Sequence, residues 1–359
     1  MGGFDIGRLR LAAQGVEGGR CERPEDVVRR LGAMQAQDLR QALWAVGVRS
    51  AGATEAEVEA ALAGGRIVRT WPMRGTIHLV PPESAKWMVQ LLAPRVLATS
   101  KKRRESLGLS PDVLAKCFDL LAGALAGGKS LSRPGAMQLL ESHGISTAGQ
   151  RGYHILWWSA LNGLICFGPP EGNQQTFVLL DEWAPAAKEL TREEALARLA
   201  QVYFAGHGPA TVHDFAWWAG LTVADARKGL AFVQDRLCCE RIGETEYWMG
   251  EGTLAGPGDE GPGVHLLPGF DEFLLGYKDR DAVLDPLHAG KVVPGGNGIF
   301  MPLVVERGRI AGVWKRSVAK GAVDVEVQPF DRLEAQQEHL FAAASRYARF
   351  LGTERVTLR

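Results

Sequence analysis

The chain has 359 residues, of which 46% are hydrophobic and 23% charged, as expected of a globular protein with two or three domains. Its formal net charge is zero, which argues against a histone-like protein that binds DNA only through phosphate attraction, although a local basic face is still possible. The five cysteines form no CxxC pair, and the N-terminus lacks the basic and apolar regions of a secretory signal. We therefore expect reduced thiols and a cytoplasmic protein without a membrane partner.

The first part of the chain predicts helices followed by a β-ribbon. The expected helices are residues 6–16, 24–34 and 39–48 and an Ala-rich helix that ends at Gly64. Thr54 and Glu57 have the spacing of a capping box at the start of that last helix. Residues 67–80 are rich in β-forming residues, with a turn near Pro72–Gly75. Helices followed by a β-ribbon are typical of a winged helix.

The same order of elements is predicted twice more. The second instance has helices at 110–126, 132–142 and 153–162 and strands at 164–167 and 176–180, separated by a Gly/Pro/Asn loop. The third has helices at 191–204, 211–219 and 222–234 and strands at 237–242 and 247–249. We therefore predict winged-helix units at residues 1–109, 110–188 and 189–250. The alternative is an unrelated mixed α/β protein.

After a Gly/Pro/acidic linker at 250–263, the remaining chain is mostly β and predicts a C-terminal domain at 264–359. Strands are expected at 264–268, 298–305, 310–315 and 323–329, with a turn at 306–309 and a final amphipathic helix at 334–351. The predicted fold class is α+β and mainly helical: three tandem winged-helix units, a C-terminal β-rich region and a terminal helix.

One stretch matches the expression of a phosphate-binding loop. Gly123–Ser130 reads GxxxxGKS, but such a loop needs a strand before it and a helix directly after it. Here a helical pattern precedes it and an N-cap at Ser132 follows, so the sequence predicts a helix end and a loop. The eight histidines show no zinc-binding spacing. We expect no cofactor and no metal.

Basic and polar residues predict where nucleic acid would lie. The candidate DNA-binding residues are Arg69, Arg74, Thr76 and His78 in the first wing, Lys101, Lys102, Arg103 and Arg104 between the first two units, and Asn297, Arg307, Arg309, Lys315 and Arg316 in the C-terminal hairpin. The alternatives are a solvated charged surface and charges that protect a strand edge from pairing.

A pair of glutamines ends the second helical pattern, in Gln35-Ala36-Gln37-Asp38. On a continuous helix, residues two apart lie about 200° from each other around the axis. Gln35 and Gln37 can therefore converge on one substrate only if the helix ends there, and the apolar pattern does weaken at Asp38. The plainer alternative is two helix-end glutamines that bond the backbone or solvent.

Three motifs in this order resemble the tandem winged-helix DNA glycosylases of the AlkZ/YcaQ type. They are Gln35-Ala36-Gln37-Asp38, Trp71-Pro72-Met73-Arg74-Gly75-Thr76-Ile77-His78-Leu79, and Leu267-Pro268-Gly269-Phe270-Asp271 through Gly276-Tyr277-Lys278-Asp279-Arg280. The Gln-apolar-Gln form is that of the branch that unhooks interstrand crosslinks and often protects antibiotic producers from their own product. The resemblance implies a monofunctional glycosylase for N7-alkylguanine, without cofactor or metal, with Gln35 and Gln37 as catalytic residues.

The chemistry of these residues fits that expectation. Guanine alkylated at N7 is cationic and already a good leaving group, and the sugar departs through an oxocarbenium-like state. A glutamine does not titrate, but it can hold a water against the sugar by hydrogen bonds. Because neither motif residue is an acid, we expect a narrow range of labile cationic substrates. A crosslinked base cannot swing out freely, so we expect an open channel rather than a deep pocket.

The expected partner is double-stranded DNA carrying N7-alkylguanine or interstrand crosslinks, bound by a monomer that associates with the nucleoid. The alternative function is a winged-helix transcription regulator without catalytic activity, which would bind DNA through the helix at residues 222–234. Simple regulators usually dimerise a single unit, so three tandem units with a β-rich appendage favour the enzyme.

Overall fold

The computed structural model describes residues 4–185, 189–255, 263–296, 298–319 and 321–359. The chain folds into two compact units. The discontinuous unit comprises Met1–Glu59 and Leu196–Arg359, and the central unit comprises Ala60–Ala195. Among the described residues, no helix combines the length and apolar character needed to cross a bilayer.

The N-terminal part of the discontinuous unit is helical. Its elements are α1 (Ile6–Ala13), α2 (Pro24–Leu31), β1 (Met34–Gln35), α3 (Leu39–Gly47) and α4 (Glu55–Ala63), the last of which continues into the central unit. The predicted capping box is confirmed, because Thr54 N–H donates to Glu57 Oε2 at 2.7 Å and Glu57 N–H donates to Thr54 Oγ1 at 3.3 Å.

The expectation that α2 continues to Met34 is wrong. The helix ends at Leu31, and Gly32 follows with a φ of 74°, a value that favours glycine. Met34 and Gln35 are extended in β1. The apolar spacing that suggested a helix through Met34 comes from burial in the core, since Met34 is 1% exposed.

The central unit combines helices with an antiparallel sheet. Its remaining elements are β2 (Val68–Met73), β3 (Thr76–Val80), α5 (Pro82–Thr99), α6 (Lys101–Ser106), α7 (Pro111–Leu125), β4 (Leu131–Ser132), α8 (Arg133–Ser142), α9 (Arg151–Leu161), β5 (Ile165–Glu171), β6 (Gln174–Leu179) and α10 (Leu180–Trp183). Within this unit the strands lie in the order β3, β2, β5, β6, β4. Trp71 and Phe167, with ring centroids 4.5 Å apart, join β2 to β5. The predicted turn between β2 and β3 is confirmed at Arg74–Gly75, where φ is 54° and 72°.

The second part of the discontinuous unit begins with three helices and a hairpin. They are α11 (Arg192–His207), α12 (Val212–Ala219), α13 (Val223–Ala231), β7 (Leu237–Ile242) and β8 (Thr245–Gly250). Gly220, with a φ of 70°, makes the turn between α12 and α13 that the sequence predicts. Thr211 and Asp214 cap α12 reciprocally, with Asp214 N–H donating to Thr211 Oγ1 at 3.1 Å.

The C-terminal region is a sheet with a final helix. Its elements are β9 (Val264–Leu267), α14 (Glu272–Leu275), α15 (Ala289–Val292), β10 (Leu303–Glu306), β11 (Arg309–Ala319), β12 (Ala322–Pro329), α16 (Gln337–Phe350) and β13 (Val356–Leu358). The strand order is β13-β12-β11-β10-β9. Tyr347 of α16 packs its ring edge-on against Trp44 and Trp314, at centroid distances of 5.0 and 5.1 Å. This aromatic core joins α3, β11 and α16.

The predicted fold class, α+β and mainly helical, is confirmed. Helices followed by a hairpin occur before β2–β3, β5–β6 and β7–β8, in the predicted order. The division into three winged-helix units and a C-terminal domain stays a prediction. The strand expected to begin at residue 298 begins only at Leu303, because only there does the chain pair with both β9 and β11.

Candidate functional site

The glutamine motif begins at the end of β1, after α2, and the backbone bends at Gln37 and Asp38. Gln35 is half-buried, Ala36 is 0% exposed and Gln37 is exposed. The pair therefore lies past the end of α2, with Gln35 on the strand and Gln37 in the bend, where the backbone turns.

The carboxylate of Asp38, next to the two glutamines, caps the helix that follows. It is the N-cap of α3, and its Oδ1 accepts a hydrogen bond from Gln41 N–H at 3.3 Å. Such a cap satisfies one of the free amides in the first turn of a helix. The Asp38 carboxylate is therefore engaged by the first turn of α3.

The backbone of Gln35 is held by a buried carboxylate from a distant part of the chain. Gln35 N–H donates to Glu272 Oε1 at 3.0 Å, and Glu272 is 1% exposed. Its other oxygen, Oε2, accepts a hydrogen bond from Trp218 Nε1 at 2.9 Å and lies 3.4 Å from His207 Nε2. A carboxylate is rarely buried without such partners.

The segment before Glu272 is fastened to α3. Trp44 Nε1 donates to the Leu266 carbonyl at 2.8 Å, and Gln41 Oε1 accepts a hydrogen bond from Gly269 N–H at 2.9 Å. These two contacts hold the residues 266–272 beside the helix that follows the glutamine motif. They explain how residues more than 200 positions apart form one site.

A buried ion pair between Arg49 and Asp271 stabilises this segment. Arg49 Nη1 and Nη2 each donate to Asp271 at 2.8 Å, and the two side chains are 1% and 0% exposed. Arg49 Nη2 also donates to Gln14 Oε1 at 2.7 Å, and Gln14 Nε2 donates to Tyr277 OH at 3.0 Å. Burial raises the pKa of Tyr277, so the phenol stays protonated and donates to the His207 carbonyl at 2.6 Å.

In the sequence, Asp271 and Tyr277 stand out only as parts of a motif, and nothing there indicates the contacts of Arg49 and Glu272. Asp271 and Glu272 stand in a charged segment, which usually indicates a solvated surface. Their only local signal is that the segment is also rich in Phe and Leu, so that charged residues sit among core residues. The partners themselves are set by the tertiary fold.

The first wing lies in the central unit, where its candidate residues contact one another. His78 is 0% exposed, with Nδ1 3.0 Å from the Thr76 carbonyl and Nε2 3.4 Å from Arg74 Nη2. Arg74 and Thr76 are half-buried. Arg69 is 7% exposed and places its guanidinium 4.4 Å from the centre of the Phe167 ring.

The basic run is a short helix with its charges in solvent. Lys101, Lys102 and Arg103 of α6 are exposed, and Arg104 is half-buried, with Nη1 donating to Ser100 Oγ at 2.5 Å. Arg103 Nη2 donates to Gln150 Oε1 at 2.6 Å. The run therefore offers several cations on one exposed element.

The C-terminal candidates lie at the turn between β10 and β11 and further along β11. Arg307 and Arg309 are exposed at the turn between β10 and β11, where Arg307 Nη1 donates to Glu334 Oε2 at 2.7 Å. Lys315 is exposed further along the strand, and the Arg316 guanidinium lies 5.2 Å from the centre of the Tyr347 ring. The predicted contact at Asn297 lies outside the described residues.

The loop that matches the phosphate-binding expression holds a carboxylate of the chain itself. Gly127 N–H and Gly128 N–H donate to Glu182 at 3.0 and 2.6 Å, and α7 ends directly before them. The helix end and loop expected from the sequence are confirmed.

Comparisons with known proteins find relatives of the chain over most of its length. A family model described as DNA glycosylase AlkZ-like matches residues 28–350. An interstrand DNA cross-link repair glycosylase of Streptomyces sahachiroi is 29% identical over 337 residues, which cover 89% of this chain and 90% of that protein. The solved structure of Streptomyces sahachiroi DNA glycosylase AlkZ aligns with a TM-score of 0.83 at 27% identity, covering 99% of this chain and 98% of that one. The chain therefore belongs to the AlkZ-like family and is a DNA glycosylase, an enzyme of DNA repair that hydrolyses N-glycosyl bonds.

Proposed function

We propose that this glycosylase releases N7-alkylguanine from duplex DNA and unhooks interstrand crosslinks formed through that position. The observation that carries the proposal is the uncharged pair Gln35 and Gln37, which lies past the end of α2 with Gln35 half-buried and Gln37 exposed. The relative named as an interstrand cross-link repair glycosylase supports the crosslink substrate. The same activity would protect the producer of a bifunctional alkylating antibiotic.

In the proposed mechanism, the base leaves before or as water attacks. The bond between N9 of the alkylated guanine and C1′ of the sugar breaks, and its electrons neutralise the positive charge of the base. Gln35 and Gln37 accept hydrogen bonds from a water and hold it against C1′, as a glutamine does in some GTPases. Water adds to C1′ and loses a proton to solvent, which leaves an abasic site. No group of the motif has to titrate.

The absence of an acid in the motif limits the substrate range. A carboxylate at Gln37 would stabilise the cationic sugar and help poorer leaving groups. With two amides, the reaction depends on the positive charge that the alkyl group already places on guanine. We therefore propose that neutral lesions are poor substrates.

DNA would be bound mainly through phosphates. The exposed cations of α6, Lys101, Lys102 and Arg103, and the exposed Lys315 of β11 are the residues that we propose for these contacts. In the first wing, the burial of His78 favours Arg74 as the residue that reaches a phosphate. The proposed active form is a monomer in the cytoplasm, associated with the nucleoid when it acts.

One assay tests the proposal directly. The protein is incubated with a duplex that carries a single N7-methylguanine, and the DNA is heated in mild alkali, which breaks the strand at an abasic site. We expect strand breaks at the lesion, and separation of the strands of a duplex crosslinked through N7. Intact strands for both substrates would contradict the proposal. The regulator alternative predicts sequence-specific binding and no base release, and family membership supports the enzyme.

A further inference from the structure

We propose that Glu272 is a positioning residue for the hydrolysis: its buried carboxylate fixes the backbone at Gln35 and so sets the direction of the amide that holds the water. This inference rests on the proposed function. It concerns a residue that contacts the motif through its backbone and does not itself need to touch DNA.

The first observation is that a carboxylate from a distant segment holds the backbone of the motif. Gln35 N–H donates to Glu272 Oε1 at 3.0 Å, and this bond anchors the residue that begins the motif. A hydrogen bond to a carboxylate is about twice as strong as one between neutral groups.

The second observation is that Glu272 is itself held in place. Trp218 Nε1 donates to Oε2 at 2.9 Å, and His207 Nε2 lies 3.4 Å from the same oxygen. His207 Nδ1 is buried without a hydrogen-bond partner among the described residues. The proton is therefore placed on Nε2, which makes the imidazole a second donor to Oε2.

The backbone around Glu272 is fixed as well. Asp271, its neighbour, is locked to Arg49, and the Tyr203 hydroxyl donates to the Gly276 carbonyl at 2.8 Å. A Cβ on Gly276 would come within 2.8 Å of His207 Cδ2, so His207 packs directly against this turn. The carboxylate thus links Gln35 to α11 and α12 through a chain of buried contacts.

Because of this geometry, replacing Glu272 by glutamine tests the proposed role of the carboxylate. In Glu272→Gln, the side chain has one acceptor and one amide donor in place of two acceptors. If its oxygen faces Gln35 N–H, its NH₂ faces the indole N–H of Trp218; if it is turned, its NH₂ faces Gln35 N–H. Either way two donors oppose each other, which weakens the hold of residue 272 on the backbone of Gln35.

The experiment measures single-turnover release of N7-methylguanine, in which the rate reports the chemistry and the amplitude reports the folded fraction. We expect Glu272→Gln to lower the rate about 10- to 100-fold, as a displacement on the order of 1 Å can, with full amplitude and unchanged DNA affinity. Trp218→Phe keeps an aromatic ring but removes the donor to Oε2, and should lower the rate about three- to tenfold. The double variant Glu272→Gln/Trp218→Phe should recover part of the rate lost in Glu272→Gln, because the opposed indole donor is gone.

Glu182→Gln is the matched control. Glu182 also accepts backbone amides, those of Gly127 and Gly128, but it lies in the central unit. We expect its rate to equal that of the wild type.

The outcomes separate the inference from the proposed function. If the wild type releases no N7-methylguanine, the proposed function fails, and this inference fails with it. If the wild type is active but Glu272→Gln keeps the wild-type rate, only the role of Glu272 is overturned. A lower amplitude at an unchanged rate would also overturn it, because that result indicates a structural role alone. If Glu272→Gln does not fold, Trp218→Phe decides: an unchanged rate overturns the inference.

Discussion

Arg49 and Asp271 form a bidentate ion pair, with both N–O distances at 2.8 Å and both side chains at most 1% exposed. The pair joins the end of α3 to the turn that begins α14, and so holds Glu272 beside the glutamine motif. Its contribution is therefore expected to appear in stability and, through Glu272, in activity.

Removing one partner of this ion pair should lower the free energy of unfolding. Arg49→Met leaves the Asp271 carboxylate buried without its cation, and such losses cost about 3–5 kcal/mol of unfolding free energy. Asp271→Asn should cost a similar amount, and the double variant should cost less than the sum, because no charge is then left unpaired. Chemical denaturation measures all three. A loss below about 1 kcal/mol in Arg49→Met would contradict the importance of the pair.

The motif itself makes a second prediction. Gln35→Ala and Gln37→Ala should each lower base release by about 100- to 1000-fold, the loss seen when one group that stabilises the transition state is removed. DNA binding should persist in both. Since Gln37 is exposed, the free energy of unfolding of Gln37→Ala should lie within about 0.5 kcal/mol of the wild-type value.

The control for these variants is Gln337→Ala, which replaces an exposed glutamine of α16. It should leave base release unchanged. Wild-type rates in Gln35→Ala and Gln37→Ala would show that other residues hold the water.

The basic helix α6 predicts how binding depends on salt. Replacing Lys101, Lys102 and Arg103 by alanine should weaken binding to any DNA sequence about equally, because phosphates carry no sequence information. Each lost phosphate contact should reduce the slope of log affinity against log salt concentration by about 0.9. Fluorescence anisotropy over a salt series measures this slope.

Lys129→Ala serves as the comparison for this series, because Lys129 is exposed in the loop after α7 of the same unit. Its slope should match that of the wild type. An unchanged slope in the α6 variant would place the DNA elsewhere on the protein.

His265 predicts a pH dependence of stability. Burial, together with Arg346, Arg20 and Arg49, lowers its pKa to about 3. In the unfolded chain the pKa of a histidine is about 6.5, so between these two values the unfolded state binds the extra proton. The neutral imidazole of His265 therefore favours the folded state fully above about pH 6.5. As the pH is lowered, the free energy of unfolding falls by up to about 1.4 kcal/mol per pH unit.

His265→Leu tests this contribution. The imidazole Nε2 is buried without a hydrogen-bond partner among the described residues, so replacing the ring by leucine breaks no hydrogen bond at this atom. Denaturation midpoints between pH 6.5 and 5 should fall less steeply in the variant than in the wild type. Parallel slopes would show that His265 does not titrate as the structure indicates.

Much of the fold follows from local patterns in the sequence. The capping box at Thr54, the turn at Gly220 and the β-ribbon around Arg74–Gly75 all lie where the sequence predicts them. Each of these features depends on residues within a few positions of one another, so a single sequence is enough to find them. The exception is the end of α2, where burial of Met34 imitated a helical pattern.

The sequence alone determined the glutamine pair, its lack of an acid and the family to which the motifs point. Only the tertiary structure decided how the pair is presented: Gln35 ends β1, Asp38 caps α3, and Glu272 accepts a hydrogen bond from the backbone of Gln35. The physical reason is distance along the chain, since the contacts that hold the site join residues 222 to 237 positions apart. Such partners are selected by burial and hydrogen bonding in the folded core, and no local pattern reports them.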